Sequence, residues 1–152
     1  MRSACFVLGL MGALLLAGCP SKHARKDRVE IFTAHWSLAA AKEVKQSFQF
    51  PGMAAPLTTA RKFVAVTLLI ENTTWQPFSL PILDFKLEDG EGRSYFPKKA
   101  DFLNSNLGPL GPRGQVEFLV LFEVMRDASD YQFRVTLSSE QEREKHAFDL
   151  GF

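Results

Sequence analysis

Three histidines, His23, His35 and His146, are the side chains best suited to proton transfer near neutral pH or to metal ligation. They stand far apart and form no ligand spacing, whereas a zinc site asks for three or four His, Cys or carboxylate ligands in recognisable clusters. Glu88, Asp89 and Glu91 crowd oxygen ligands into one short stretch. The stretch lacks the alternating ligands and the closing Glu of a calcium loop, so it reads as a solvated hairpin. Asp84, Asp101 and Asp127 are the carboxylates an enzyme would have to use, and nothing in their spacing brings two of them together. No Gly-x-Ser-x-Gly elbow, phosphate loop or dinucleotide fingerprint occurs. The expectation is a protein with no catalytic residues, no metal and no cofactor, in which the chemistry worth following belongs to one of two cysteines, Cys5 and Cys19.

Residues 1–18 carry one cation, Arg2, then an apolar run from Ala4 to Ala17. That run is shorter than the roughly 20 apolar residues of a membrane-spanning helix, so it reads as a secretory signal peptide. Its last residues, Leu16-Ala17-Gly18-Cys19, resemble the lipobox of bacterial lipoproteins at every position. The resemblance implies that the Cys19 thiol receives a diacylglyceryl group and that cleavage falls before Cys19. The new amino group then becomes a further acylation site. Cysteine suits the role because its thiolate is nucleophilic near neutral pH, and two or three acyl chains hold a membrane far more firmly than one. Cys5 leaves with the leader and Cys19 is consumed, so no thiol remains for a disulfide or a thiolate metal site. In such lipoproteins an Asp after the lipidated cysteine favours the inner membrane. Pro20 at that position points to the outer membrane.

Residues 19–28 follow as a tether, with Lys22, Arg25, Lys26 and Arg28 against Asp27 and no apolar periodicity. Extended, it reaches roughly 30 Å at about 3.3–3.6 Å per residue. A solvated linker is the simpler reading, and contact of its cations with anionic headgroups the sharper one. The whole chain has 18 Lys and Arg against 17 Asp and Glu, a net charge of +1. No basic field is present to hold nucleic acid.

Residues 29–152 are expected to form a single domain, and its apolar residues alternate with period two. Val64, Val66, Leu68 and Ile70 share one face of a run, as do Val116, Phe118, Val120, Phe122 and Val124, and Tyr131, Phe133, Val135 and Leu137. Shorter strands are expected at 29–33, 47–50, 83–88, 93–96 and 147–150. Asp89-Gly90-Glu91-Gly92 supplies a hairpin turn, and Pro51-Gly52, Asn72-Thr73-Thr74 and Gly108 to Gly114 mark the other reversals. Leu38 to Gln46, rich in Ala and Lys, is expected to be a helix or an irregular crossover. The charged stretch Glu140 to His146 reads as a solvated connection. The predicted fold is all-β, an antiparallel sandwich of about seven to eight strands.

Lys62 to Asn72, then Pro77-Phe78-Ser79-Leu80, then Asp84 to Tyr95 resemble a large bacterial family, the extracytoplasmic domain of unknown function four-three-five-two. Its order is a hydrophobic strand ending in an Asn turn, a Pro-x-x-Leu stretch and a Phe-x-Leu-x-Asp-x-x-Gly-x-x-Tyr hairpin. Pro-x-Gly then precedes a strand ending in Phe-Glu-Val, here Pro112-Arg113-Gly114 and Phe122-Glu123-Val124. The Ala-rich stretch 38–46 and an insertion from Pro97 to Leu107 depart from that pattern. The resemblance implies an immunoglobulin-like sandwich outside the cytoplasm, with no catalytic residues to carry over.

Trp36, Trp75, Phe78 and Phe102 lie in or beside loops, where aromatic side chains either plug a sandwich end or anchor a partner. Trp75 is the candidate binding residue, since the turn from Asn72 to Gln76 offers little to bury it. The functional expectation is an anchored, non-catalytic envelope protein whose sandwich binds a protein partner through loops or an edge strand. The alternative is an accessory subunit of an envelope or secretion machine.

Overall fold

The computed structural model describes residues 28–31, 34–103, 109–138 and 143–152. Cys19 and the leader, the tether up to Asp27 and Glu140 to Glu142 lie outside the described residues. The described chain has no helix and forms nine strands, two of them short: β1 (Arg28–Ile31), β2 (Ala34–Phe48), β3 (Leu57–Asn72), β4 (Ile82–Glu88), β5 (Ser94–Tyr95), β6 (Pro97–Phe102), β7 (Gln115–Val124), β8 (Gln132–Ser138) and β9 (Arg143–Asp149). One sheet has the order β1-β2-β3-β7-β6 and the other β5-β4-β8-β9. Every pairing is antiparallel, so the expected all-β sandwich is what forms.

The three strongest alternations become the three central strands. Val64, Val66, Leu68 and Ile70 of β3, the alternate residues Val116 to Val124 of β7, and Phe133, Val135 and Leu137 of β8 are buried in one core between the sheets. Aromatic rings bridge the layers: Phe85 of β4 lies 5.1 Å from Phe118 of β7, and Phe122 of β7 meets Phe133 of β8 edge-on at 5.8 Å, while Phe85 and Phe133 stack at 5.7 Å within their own sheet. Edge-on and offset contacts of this kind add to the stabilisation from burial alone.

The helix expected at 38–46 is instead the middle of β2, and the short strand expected at 47–50 is its end. β3 is 16 residues long, and β2 satisfies its backbone groups from Ala34↔Asn72 to Phe48↔Leu57. Irregularities between Leu38 and Ala40 and between Lys45 and Ser47 interrupt the ladder, with Gln46 at φ 68°. A bulge inserts a residue and shifts the face of everything after it. The apolar positions Leu38, Ala41, Val44 and Phe48 therefore fall three or four apart and imitate a helix.

Two further expectations are corrected. The insertion at 97–107 contains a strand, β6, which extends the first sheet beyond β7. Arg143 to His146 belong to β9 rather than to a connection, and β9 begins well before Ala147. The loop after β2 folds over the outer face of the first sheet, where Phe50 packs with Phe63, Ala65, Leu119 and Leu121 in a second apolar cluster. Gln49 ties that loop down by donating to the Met53 carbonyl at 2.7 Å.

The register places the two ends of the sandwich. Asn72 closes β3 beside the start of β7, while Val124, at the far end of β7, pairs with Lys62. Near that far end Lys62 Nζ meets Glu43 at 2.5 Å and the Ala128 carbonyl at 2.6 Å, under the buried Tyr131. Burial, first, and then the neighbouring Glu43 carboxylate raise the Tyr131 phenol above its ordinary range.

Candidate interaction surface

Asn72 stands at the reversal that ends β3, a place where asparagine tolerates left-handed geometry. It does not have a positive φ, and it acts through its side chain. The residue is fully buried, and its Nδ2 lies 2.8 Å from the Gln76 carbonyl, 3.1 Å from that of Leu110 and 3.0 Å from that of Gly111. Its Oδ1 accepts from Thr74 N and Thr74 Oγ1, both at 2.9 Å. One buried amide thus holds two separate loops, 73–77 and 110–114, against the end of β3. Backbone bonds repeat the clamp: Asn72 N donates to Gly114 O, Arg113 N to Thr74 O, and Phe78 and Leu110 exchange a pair.

Trp75 stands on the outside of this clamp and is 74% exposed. Its ring is stacked by the Arg113 guanidinium, whose carbon lies 4.8 Å from the ring centroid. Arg113 sits at φ 56°, a left-handed position that is uncommon for a residue with a Cβ and that the doubly held loop enforces. The result is a rigid tip carrying an aromatic face and a cation. Such a tip loses little conformational entropy when a partner covers it.

The other aromatics divide differently. Trp36 is buried in the core, and Phe78 and Phe102 are half-buried against it. Arg113 was missed in the sequence, where its only signal was its place between Pro112 and Gly114.

The opposite end is organised by Asp89, whose side chain is fully shielded from solvent. Oδ1 accepts from the backbone N–H of Glu91 and Arg93, and Oδ2 from Arg93 Nε at 2.6 Å and Tyr95 Oη at 2.8 Å. Burial alone would raise the Asp89 carboxyl. The bonds from Arg93 and Tyr95 outweigh it and hold the carboxyl below the usual carboxylate range. Arg93 reaches on to Asp127 at 3.2 Å, and Gly90 N donates to Ser129 O, which ties the β4–β5 hairpin to the β7–β8 turn. Gly92 takes φ 79°, which a side chain would strain, and a Cβ on Gly90 would stand 3.1 Å from that of Asp130, a tight approach that the turn would have to yield to admit.

Asp89 is thus committed to the fold. Asp84 is exposed on β4, Asp101 on β6 in the other sheet, and Asp127 in the turn beside Arg93, so no two of these carboxylates share a site. His35 lies on β2 and His146 on β9, where His146 meets Glu144 at 3.3 Å; His23 is outside the described residues. Among the described residues no three His, Cys, Asp or Glu side chains form a metal-holding group, and no helix is long and apolar enough to cross a membrane.

The fold is similar to that of the yjhA protein from Bacillus subtilis, with a TM-score of 0.58 at 11% identity over 80% of this chain and 94% of that one. No curated protein matches the chain. The family of the domain of unknown function DUF4352 matches residues 31–143. That span contains both hubs, Asn72 and Asp89, and most of the sandwich they close, and the chain belongs to this family.

Proposed function

We propose that the chain is an extracytoplasmic lipoprotein, anchored through Cys19 to the outer membrane, whose non-catalytic, immunoglobulin-like sandwich binds a protein partner through the Trp75–Arg113 tip. The observation that carries the binding role is the exposure of Trp75 on a turn locked from beneath by a buried Asn72. Isolated surface apolar residues are common. A tryptophan fixed on a rigid support and stacked by a guanidinium is the composition of an interface anchor. The lipobox spelling at Leu16 to Cys19 supports the anchor.

Two measurements test the two halves. Cells fed labelled palmitate are expected to label the wild-type protein and not Cys19→Ser, and an unlabelled wild type refutes the anchor. A photo-crosslinking residue at position 75 is expected to give a discrete protein adduct in intact cells, and one at Asp101 none. Trp75→Ala is expected to weaken the captured complex by roughly thirtyfold or more, the range of interface anchors, while thermal stability stays unchanged. A crosslinker at 75 that yields no adduct, or an unaltered affinity in Trp75→Ala, refutes the tip.

A further inference from the structure

The outer face of the four-stranded sheet plays no part in either end of the sandwich. The register sets Lys86 beside Arg134 and Arg134 beside Ala147; two residues along, Asp84 lies beside Thr136 and Thr136 beside Lys145. The short side chains of Thr136 and Ala147 floor an open cleft of about 290 Å3, whose cations are Lys86, Arg134, Arg143 and Lys145. Phe96, 71% exposed, flanks it.

Charge in this cleft is not balanced. Glu88 accepts from both Lys86, at 2.7 Å, and Arg134, at 2.6 Å, and Asp84 is the other carboxylate lining the cleft. Arg143 and Lys145 form no ion pair with any described residue. Four cations against two carboxylates in the cleft, with Asp149 farther along β9 as the third carboxylate of this face and an exposed phenylalanine beside them, make a surface for a layer of negative charge. An enclosed pocket for a single ion would need walls that this cleft lacks.

The face is turned away from the sheet that carries β1, because the alternate residues of β4 and β8 fill the core between the two sheets. Phe85 of β4 touches Phe118 of β7, and Tyr131, leading into β8, reaches Glu43 of β2 at 3.2 Å. The order β4-β8 therefore runs alongside β7-β3-β2, with β9 next in its own sheet beyond β8.

From this placement we infer that the outer face of β4, β8 and β9 docks on anionic phospholipid headgroups. Lys86, Arg134, Arg143 and Lys145 meet the phosphates, and Phe96 dips into the interface. Each cation near such a surface adds to the attraction until salt screens it, and an aromatic ring favours the headgroup level. The site is separate from the Trp75 tip and remains distinguishable from it.

The test places a reporter at Phe96. The full chain, purified as the cell processes it and carrying Phe96→Trp with Trp75→Phe, is mixed with vesicles that contain brominated acyl chains. Trp36, the other tryptophan, is buried in the core. Fluorescence from position 96 is expected to fall by half or more on phosphatidylglycerol-containing vesicles, to stay unchanged on phosphatidylcholine alone, and to recover in about 0.5 M salt, where screening is severe. Arg143→Gln with Lys145→Gln breaks no ion pair to a described residue and should leave the circular dichroism intact. It is expected to require a severalfold higher fraction of phosphatidylglycerol. No quenching on either vesicle, or equal quenching on both that ignores salt and the double variant, overturns the inference.

Discussion

Replacing Asn72 by alanine is expected to destabilise the sandwich by about 3 kcal/mol or more, because it removes both sides of the clamp at once. The carbonyls of Gln76, Leu110 and Gly111 each lose one of two donors, since Thr74 Oγ1, Phe78 N and Gly114 N also reach them, and Thr74 N loses the Asn72 acceptor while Thr74 Oγ1 keeps the Gln76 carbonyl. Five hydrogen bonds from one fully buried amide are lost, at about 0.5–1.5 kcal/mol each; the second partners that most of these groups keep set the total below the simple sum. A fall of roughly 10 °C in thermal midpoint follows for a domain of this size. Asn72→Asp separates the two halves of the clamp. It keeps the acceptor for Thr74 but turns a carboxylate toward three carbonyl oxygens, so it is expected to be at least as destabilising as alanine. Scanning calorimetry of the two variants checks this, and an Asp variant near wild-type stability would show that the amide donor is dispensable. Both variants should also loosen Trp75, seen as a drop in its fluorescence anisotropy at temperatures where the core is still folded.

The central strands were legible because steady burial of one face leaves an unbroken period of two. Val64 to Ile70, Val116 to Val124 and Phe133 to Leu137 each keep one face entirely inside. β2 was not legible, because its bulges move Ala41 to the inner face and Val44 to the outer within a few residues, and because alanine and lysine favour helices in isolation. The tertiary demand of β3 for a hydrogen-bonded neighbour overrides that preference. β6 was hidden for a related reason. As an edge strand with Pro97, Lys98 and Lys99, it carries the residues that keep an edge from pairing with another chain, and these do not look like a strand.

The candidate site was half legible. Trp75 stood out because a tryptophan in a turn has few ways to be buried. Arg113 did not, since its contact with Trp75 spans two loops joined only through Asn72, and no local spacing encodes a contact of that range. The basic outer face was equally hidden. Lys86, Arg134 and Lys145 are far apart in the chain, and the registers of two strand pairs are needed to bring them to one surface. By contrast, the Phe-x-Leu-x-Asp-x-x-Gly-x-x-Tyr spacing is a local signal, and its physical content is plain in the fold. Phe85 and Leu87 enter the core, Gly92 turns the chain, and Asp89 and Tyr95 meet across the hairpin.

That last contact belongs to the second large expected effect. Asp89→Asn preserves volume but leaves one oxygen to serve donors that now use two, and it turns an amide N–H2 toward N–H or O–H groups. Removing one partner of a buried, hydrogen-bonded ion pair costs about 3–5 kcal/mol, so a fall of roughly 10 °C or more in thermal midpoint is expected at pH 7. The cost should depend on pH in a determined direction. The Asp89 carboxyl is held below its ordinary value in the folded protein, so its contribution is complete above the unfolded-state pKa of about 3.9 and is lost as the pH falls through the lower folded value. The wild type should therefore lose stability faster than the variant below about pH 4, and the two melting curves should converge. Lowered carboxyls elsewhere, at Glu88, Glu123 and Asp127, contribute an acid-sensitive slope of their own, but one that both proteins share. Melting temperatures of both proteins from pH 7 to pH 2.5 decide the matter. A gap that stays constant across the whole range would mean that Asp89 acts by packing and neutral hydrogen bonding, with its charge playing no part in holding the hairpin to the β7–β8 turn.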